Sequence, residues 1–318
     1  VGTKEVATQF NLEDFQMKND NTLVLAHYYT EPEVQAMADY VGDSLDLAQI
    51  AQREKPKRIV FAGVKFMAET AKILNPDTEV ILPDSGSTCS LVEQTDIISL
   101  KAWANQHKDH THVMYINSSA KMKAMADIIV TSRIVDDVVA AEYAKGNKVI
   151  FSPDRNMGAY LNYQYGYNMP TWTAVCDVHE KFKADELKQA MVGWTNGTKY
   201  VLAHPESPLP VLQMADYVGS TKGMLDWVKK HPYNHSTIFV ATEEGLLYNM
   251  RQLRPDLDIR LAPTYSGCQC NACPFMKMNT TENITEAIKT GKGLKIDYLS
   301  DLDIMKAYKP IARMMEYA

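Results

Sequence analysis

Val24-Leu-Ala-His27 and Met37-Ala-Asp-Tyr-Val-Gly42 return as Val201-Leu-Ala-His204 and Met214-Ala-Asp-Tyr-Val-Gly219, at a constant offset of 177 residues. Over residues 24–42 and 201–219, 11 of 19 positions are identical, far more than unrelated sequence would share. At half that offset, 88, Ala-Met-Ala-Asp recurs at Ala124–Asp127 and Ser44 finds Ser132, with 5 of 21 positions matching. That copy is faint alone, and its place at the midpoint makes it credible. A repeat of this kind sets the architecture, so it is read before anything else. His27, Tyr115 and His204 occupy equivalent positions in the three copies.

Each copy is followed by cysteine at a similar distance. Cys89 lies 62 residues after His27 and Cys176 lies 61 after Tyr115. Cys268, Cys270 and Cys273 lie 64 to 69 after His204. Three equivalent units with matched thiols predict three thiolates meeting on a pseudo-threefold axis. Spacing alone favours Cys268 as the third.

A chain of 318 residues has room for two or three domains, and the repeat argues for three units of about 90 residues, marginal alone, so they are expected to share a core. It is 46% hydrophobic with no apolar run of 18 or more, which argues for a globular chain without a membrane helix. The start, Val1-Gly2-Thr3, reads as a trimmed end without a signal peptide. A net charge of −6 gives no electrostatic reason to expect nucleic acid or an anionic membrane as partner. Five cysteines, an odd number without small-secreted-protein spacing, suit metal binding or catalysis in a cytoplasmic chain.

Each unit reads strand, helix, strand, helix, strand, cysteine loop. In the first, strands are expected at Thr22–His27, Arg58–Gly63 and Glu79–Leu82, with helices at Val34–Tyr40, Ser44–Gln52 and Ala68–Leu74. The second has strands at His112–Asn117, Lys148–Ser152 and Thr173–Val175, with helices at Ala120–Ile129 and Arg133–Ala144. The third has strands at Lys199–His204, Ser236–Ala241 and Asp258–Ala262, with helices at Pro210–Val218, Gly223–Lys230 and Glu244–Leu253. Short apolar strands alternating with helices predict an α/β fold. Its three pseudo-threefold-related, three-layer α/β/α units would carry short parallel sheets, with the site on the central axis. The expected divisions are an N-terminal segment 1–20, units 21–105, 106–190 and 191–290 carrying the Cys89, Cys176 and Cys273 loops, and a C-terminal helix within 291–318. In parallel sheets ligands bind beyond the carboxyl ends of the strands, where His27, Tyr115, His204 and the cysteine loops all fall.

Three sets of residues then carry chemistry. One thiolate per unit would hold an iron–sulfur cubane and leave one iron open to substrate, whereas a structural zinc usually wants four ligands. Ser44, Ser132 and Thr221, with Ser220 beside the last, each precede a helix and read as N-caps. Brought together, such helix ends would ring a pocket suited to carboxylates or phosphate. The strand ends supply His27 and Tyr29, Tyr115 and Asn117, and His204 and Glu206, always at i and i+2, so both members of a pair face one way. His179, three residues after Cys176, would lie beside a cluster held by that thiol. No Gly-rich dinucleotide fingerprint, P-loop or HExxH is present.

His27-Tyr-Tyr-Thr-Glu-Pro-Glu-Val-Gln-Ala-Met-Ala-Asp-Tyr-Val-Gly-Asp-Ser44, Thr88-Cys-Ser90, Cys176-Asp-Val-His-Glu180, Ala203-His-Pro-Glu-Ser207 and Cys273-Pro-Phe-Met-Lys-Met-Asn-Thr280 together resemble the quinolinate synthase family, from about residue 20 to the C-terminus. The resemblance implies three α/β/α units around a [4Fe–4S] cluster, held here by Cys89, Cys176 and Cys273. The last is picked out by its Pro-x-Met, against the residue count. It implies condensation of iminoaspartate with dihydroxyacetone phosphate to quinolinate, in de novo NAD biosynthesis, with the open iron as Lewis acid. The implied substrate-binding residues are His27, Tyr29, Ser44, Tyr115, Asn117, Ser132, His179, His204, Glu206, Ser220 and Thr221. Among them Glu206 would be the general base, Tyr29 and Tyr115 would move protons, and His27 and His204 would orient substrate. Some members carry C-x-x-C-x-x-C-P where this chain has C-x-C-x-x-C-P, which puts thiol–disulfide regulation by Cys268 and Cys270 in doubt. Iminoaspartate is short-lived in water, so an aspartate oxidase or dehydrogenase is the expected functional partner. The competing readings are a reductive iron–sulfur dehydroxylase, whose motifs do not match, and an iron–sulfur or zinc redox sensor built on Cys268, Cys270 and Cys273.

Overall fold

The apolar runs form strands where alternation and β-branching call for them. A computed structural model of the protein describes residues 21–194, 197–265 and 271–317. Three sheets follow one another along the chain. The first contains β1 (Thr22–His27), β2 (Tyr40–Gly42), β3 (Arg58–Ala62) and β4 (Glu79–Leu82) in the order β2-β1-β3-β4, all parallel. The second contains β5 (His110–Tyr115), β6 (Ile128–Val130) and β7 (Lys148–Ser152) in the order β6-β5-β7. Single bridges from Phe151 to Thr171 and from Asp154 to Ala174 continue it where a fourth strand would lie. The third contains β8 (Lys199–Ala203), β9 (Tyr217–Val218), β10 (Thr237–Ala241) and β11 (Asp258–Leu261) in the order β9-β8-β10-β11. Helices cover these short parallel sheets, consistent with α/β/α layering, and the strands are buried nearly throughout.

β2, β6 and β9 correct the sequence reading, which carries a helix into the start of β2, most of β6 and all of β9. The helices stop early, at Pro32–Met37, Ala120–Lys123 and Leu209–Leu212. The cause is the aspartate of the repeated Met-Ala-Asp. Asp39, Asp127 and Asp216 accept the backbone N–H of Val24, His112 and Val201 at 2.8, 2.8 and 2.7 Å. Their own N–H groups donate back to the carbonyls of the same three residues at 2.8, 3.0 and 2.8 Å. This two-way clip pulls the chain out of the helix and lays it beside the first strand of each sheet. The sequence reading also passes over the helix Arg155–Tyr165, capped by Asp154 on Met157 N–H. Thr173–Val175, expected as a strand, makes only the bridge through Ala174.

The C-terminal stretch returns to the first half of the molecule. Helix Thr281–Thr290, closed by a capping box between Thr280 and Asn283, lays Ile284 and Ala287 on Val24, Ala26, Val60 and Ile81 of the first sheet. β12 (Leu294–Lys295) then pairs antiparallel with β4. Helix Asp301–Met315 packs on β6 and on helices Ala120–Lys123 and Lys65–Leu74, bridging the first two sheets. No helix of the described residues is long and apolar enough to cross a membrane.

Candidate active site

The carboxyl ends of the strands open on one cavity of about 440 Å³, a size typical of small-molecule sites. All six strand-end residues singled out by the i, i+2 spacing line it: His27, Tyr29, Tyr115, Asn117, His204 and Glu206. Ser44, Ser132, His179 and Thr221 line it too, as do Cys89, Cys176 and Cys273. Cys268 and Cys270 lie outside the described residues.

Glu206 is the centre of the polar wall. Its Oε2 sits 2.9 Å from His179 Nδ1 and 3.2 Å from His204 Nδ1, and Asn117 Nδ2 donates to Oε1 at 3.3 Å. Burial alone would raise this carboxyl. The paired imidazoles of His179 and His204 outweigh burial and hold it below the usual carboxylate range. The two rings stack at 4.7 Å. His204 Nε2 reaches Ser132 Oγ at 3.1 Å, joining the third sheet to the second. His179 Nε2 reaches Thr242 Oγ1 at 3.0 Å, and the same hydroxyl meets Tyr29 Oη at 2.7 Å. A continuous chain therefore runs from Tyr29 through Thr242, His179 and Glu206 to His204. Burial lifts the phenols of Tyr29 and Tyr115 well above their ordinary value, so both stay protonated. Burial pulls His27 down to about 3, leaving a neutral imidazole whose Nδ1 accepts the Tyr29 N–H at 3.2 Å.

The hydroxyl set needs a correction. Asp43, not Ser44, caps helix Ser44–Glu54, taking the N–H groups of Leu45 and Asp46 at 3.0 and 2.9 Å. Ser220, not Thr221, caps helix Thr221–Lys230 through Gly223 N–H at 3.1 Å. In the second copy Thr131 accepts from Arg133 N–H at 3.3 Å, and Ser132 sits in the turn ahead of helix Val135–Ala144. In the first and third copies the capping position falls one residue earlier than the sequence reading puts it, whereas in the second Ile134 occupies the cap and no side chain closes the helix. Ser44, Ser132 and Thr221 all line the cavity. Ser220 itself spends its hydroxyl on the helix.

Two residues at the end of β10 escape the sequence reading. Thr242 joins Tyr29 to His179, as above. Glu243 lines the cavity, accepts Cys273 N–H at 3.0 Å and pairs with Lys277 Nζ at 3.3 Å. Extending the strand-end rule from the first strand of each unit to the second would find both.

Two donor sets could hold a metal. Cys176 Sγ, a His179 ring nitrogen and a Glu206 oxygen lie within 4.8 Å of one another. The other set is the three thiols, none in a disulfide. Burial pushes the thiol of Cys89 far above its usual range, with Cys273 as the next cause. Burial raises Cys176 likewise, with Glu206 next, and Cys273 to about 11. Three half-buried thiols whose anions crowd one another need a positive centre to become thiolates, as soft metal clusters provide. His179 and Glu206 already satisfy each other. His179 Nδ1 lies 3.2 Å from Cys176 Sγ, and backbone N–H groups of Leu91 and Val92 at Cys89, and of Phe275 and Met276 at Cys273, favour the thiolate forms. The residues fit a thiolate-held cluster better than a mixed site.

A family model described as quinolinate synthetase A protein matches residues 12–316. The quinolinate synthase of Nostoc punctiforme is 42% identical over 299 residues, covering 94% of this chain and 90% of that protein. That of Chloroherpeton thalassium is 43% identical over 300 residues, 94% of this chain and 91% of its own, and that of Cyanophora paradoxa is 40% identical over 299 residues, 94% and 89%. The chain belongs to the quinolinate synthase family of enzymes.

Proposed function

We propose that this chain condenses iminoaspartate with dihydroxyacetone phosphate to give quinolinate, phosphate and two waters in NAD biosynthesis, in the cytoplasm. One observation carries the reading: the cavity that gathers the strand-end acid–base groups also gathers one cysteine from the loop after each sheet. The shared strand order and the shared aspartate clip support a pseudo-threefold relation among units 21–105, 106–190 and 191–290, with the cavity on the axis. A [4Fe–4S] cluster on Cys89, Cys176 and Cys273 would supply, when bound, an open iron that serves as Lewis acid toward a substrate hydroxyl.

The chain's own residues account for the rest. The reaction forms one carbon–carbon bond and one carbon–nitrogen bond, releases inorganic phosphate and two waters, and involves no net oxidation. Two carboxylates and a phosphate must be held. The N-termini of helices Ser44–Glu54 and Thr221–Lys230, with the hydroxyls of Ser44, Ser132 and Thr221, suit anions. Glu206 is ionised. Its Oε1, held among the described residues by Asn117 alone, is the oxygen we assign to take a proton from the carbon that becomes nucleophilic, an assignment that the free lone pair supports. Tyr29 and Tyr115 keep their protons and can give them to departing oxygens. Neutral His27 and paired His204 fix the substrate's orientation.

The test is an anaerobic assay of iron- and sulfide-reconstituted protein. Oxaloacetate and ammonia, which together form iminoaspartate, are mixed with dihydroxyacetone phosphate without reductant, and quinolinate is followed by chromatography. Product that requires both the cluster and the triose phosphate supports the reading. No product from protein with a full four-iron complement overturns it. Replacing Cys89 with alanine is expected to abolish both the brown colour and turnover; a colourless, active variant would remove the cluster from the reaction.

A further inference from the structure

The three cysteine loops are stitched to one another by side chains that belong to none of the acid–base machinery. Asn271 Nδ2, two residues before Cys273, donates to Val178 O, two residues after Cys176, at 2.8 Å. Ser87 Oγ, two residues before Cys89, lies 2.7 Å from Phe275 O, two residues after Cys273. The densest join is between the loops of Cys89 and Cys176. Cys89 is the N-cap of helix Ser90–Glu93, and Gln94 ends that helix. Gln94 Nε2 donates to Asp177 Oδ1 at 2.8 Å, and Gln94 Oε1 accepts Val175 N–H at 3.1 Å. Ser90 Oγ accepts Asp177 N–H at 3.1 Å. Chemistry sets the amide's orientation: the carboxylate can only accept and the backbone N–H can only donate. One amide thus grips the residues on both sides of Cys176.

We infer that Gln94 is a positioning residue that holds Cys176 in register with Cys89 for the metal group; this rests on the cluster reading above. Gln94 is exposed, so its hydrogen bonds contribute little to the stability of the whole fold. Their consequence is local. Holding two ligand loops in place before the metal arrives lowers the cost of organising the site and slows the loop opening that releases metal.

The experiment is iron release to a chelator from reconstituted protein, followed by loss of cluster absorbance. Four proteins are compared: wild type, Gln94→Glu, Asp177→Asn and the double variant. Gln94→Glu sets one carboxylate against another. Asp177→Asn keeps an acceptor for the Gln94 amide. In the double variant the amide introduced at position 177 can donate to the carboxylate introduced at position 94, restoring the bracket with reversed polarity. Gln94→Glu is expected to release iron about five- to tenfold faster than wild type, Asp177→Asn to match wild type, and the double variant to return to within about twofold. The melting temperature of the metal-free proteins should be the same throughout. Release from Gln94→Glu at the wild-type rate overturns the inference. So does a double variant that fails to recover, or faster release matched by a fall in metal-free melting temperature. Wild type that takes up no four-iron cluster defeats the cluster reading itself, whatever the variants do. Gln94→Asn, too short to span Val175 and Asp177, is the second probe if Gln94→Glu does not fold, and should also release iron faster.

Discussion

His27 and His204 end the same four residues, Val-Leu-Ala-His, at the carboxyl end of the first strand of the first and third sheets, and they are held in opposite ways. His27 offers Nδ1 to a backbone N–H, packs edge-on against Tyr29 at 4.6 Å and is neutral. His204 turns Nδ1 to the Glu206 carboxylate and Nε2 to Ser132. The residue two places on decides the difference, Tyr29 in one copy and Glu206 in the other. A duplicated strand supplies the position, burial lowers the pKa of both imidazoles, and the i+2 side chain sets the partner. One repeat thus provides an imidazole bonded to backbone on one wall and one bonded to a carboxylate on another.

Breaking the carboxylate-bonded side has the largest expected effect. Glu206→Gln keeps the shape and the Asn117 contact but removes the charge that His179 and His204 share. Turnover should fall by about 10²- to 10⁴-fold, the usual cost of losing a general base, while the cluster still loads. A Glu206→Gln variant that turns over normally, measured as quinolinate formed per cluster, takes Glu206 out of that role.

The neutral side is sharpened by pH. His27 in the folded chain has a pKa of about 3, below the ordinary imidazole value. From about pH 6.5 downward the unfolded chain binds a proton that the folded chain refuses. The stability from keeping His27 neutral is therefore fully present above about pH 6.5 and is lost as pH falls toward 3, by roughly 1.4 kcal/mol per unit at most. In His27→Asn, which can still accept the Tyr29 N–H, the fall of melting temperature with acidification should be shallower than in wild type. Parallel acid limbs in the two proteins would mean that His27 is not the buried neutral group described.

Much of this was legible from the repeat. The apolar runs mark β1, β3, β5, β7, β8 and β10 because parallel strands buried on both faces leave little room for polar residues. The six strand-end residues were legible because i, i+2 spacing survives one step beyond a strand. The aspartate clips were not, because their meaning lies in a backbone N–H some 15 residues away that no local pattern reports. The same limit hides Thr242, which matters only because Tyr29 and His179, from other parts of the chain, converge on it. Cys273 needed its Pro-x-Met, since counting residues from His204 favours Cys268 and loop length varies freely.

The smallest effects separate the two serines that adjoin the repeat. Ser44 follows the capping residue of its helix and faces the cavity; Ser220 is the cap itself. Each is one hydroxyl at a helix start, so sequence treats them alike, and their losses should appear in different observables. Ser220→Ala leaves the half-buried Gly223 N–H without its cap and should lower stability by about 1 kcal/mol in denaturant unfolding, with KM nearly unchanged. Ser44→Ala should leave stability within about 0.5 kcal/mol, because Asp43 still holds Leu45 and Asp46. Its KM for the anionic substrates should rise about fivefold, the worth of one hydrogen bond to a charged group. A rise in KM for Ser220→Ala would show that its hydroxyl also reaches substrate. A loss of stability in Ser44→Ala would mean that the cap is shared between residues 43 and 44, and the division of labour between first and third copies would then be one of degree.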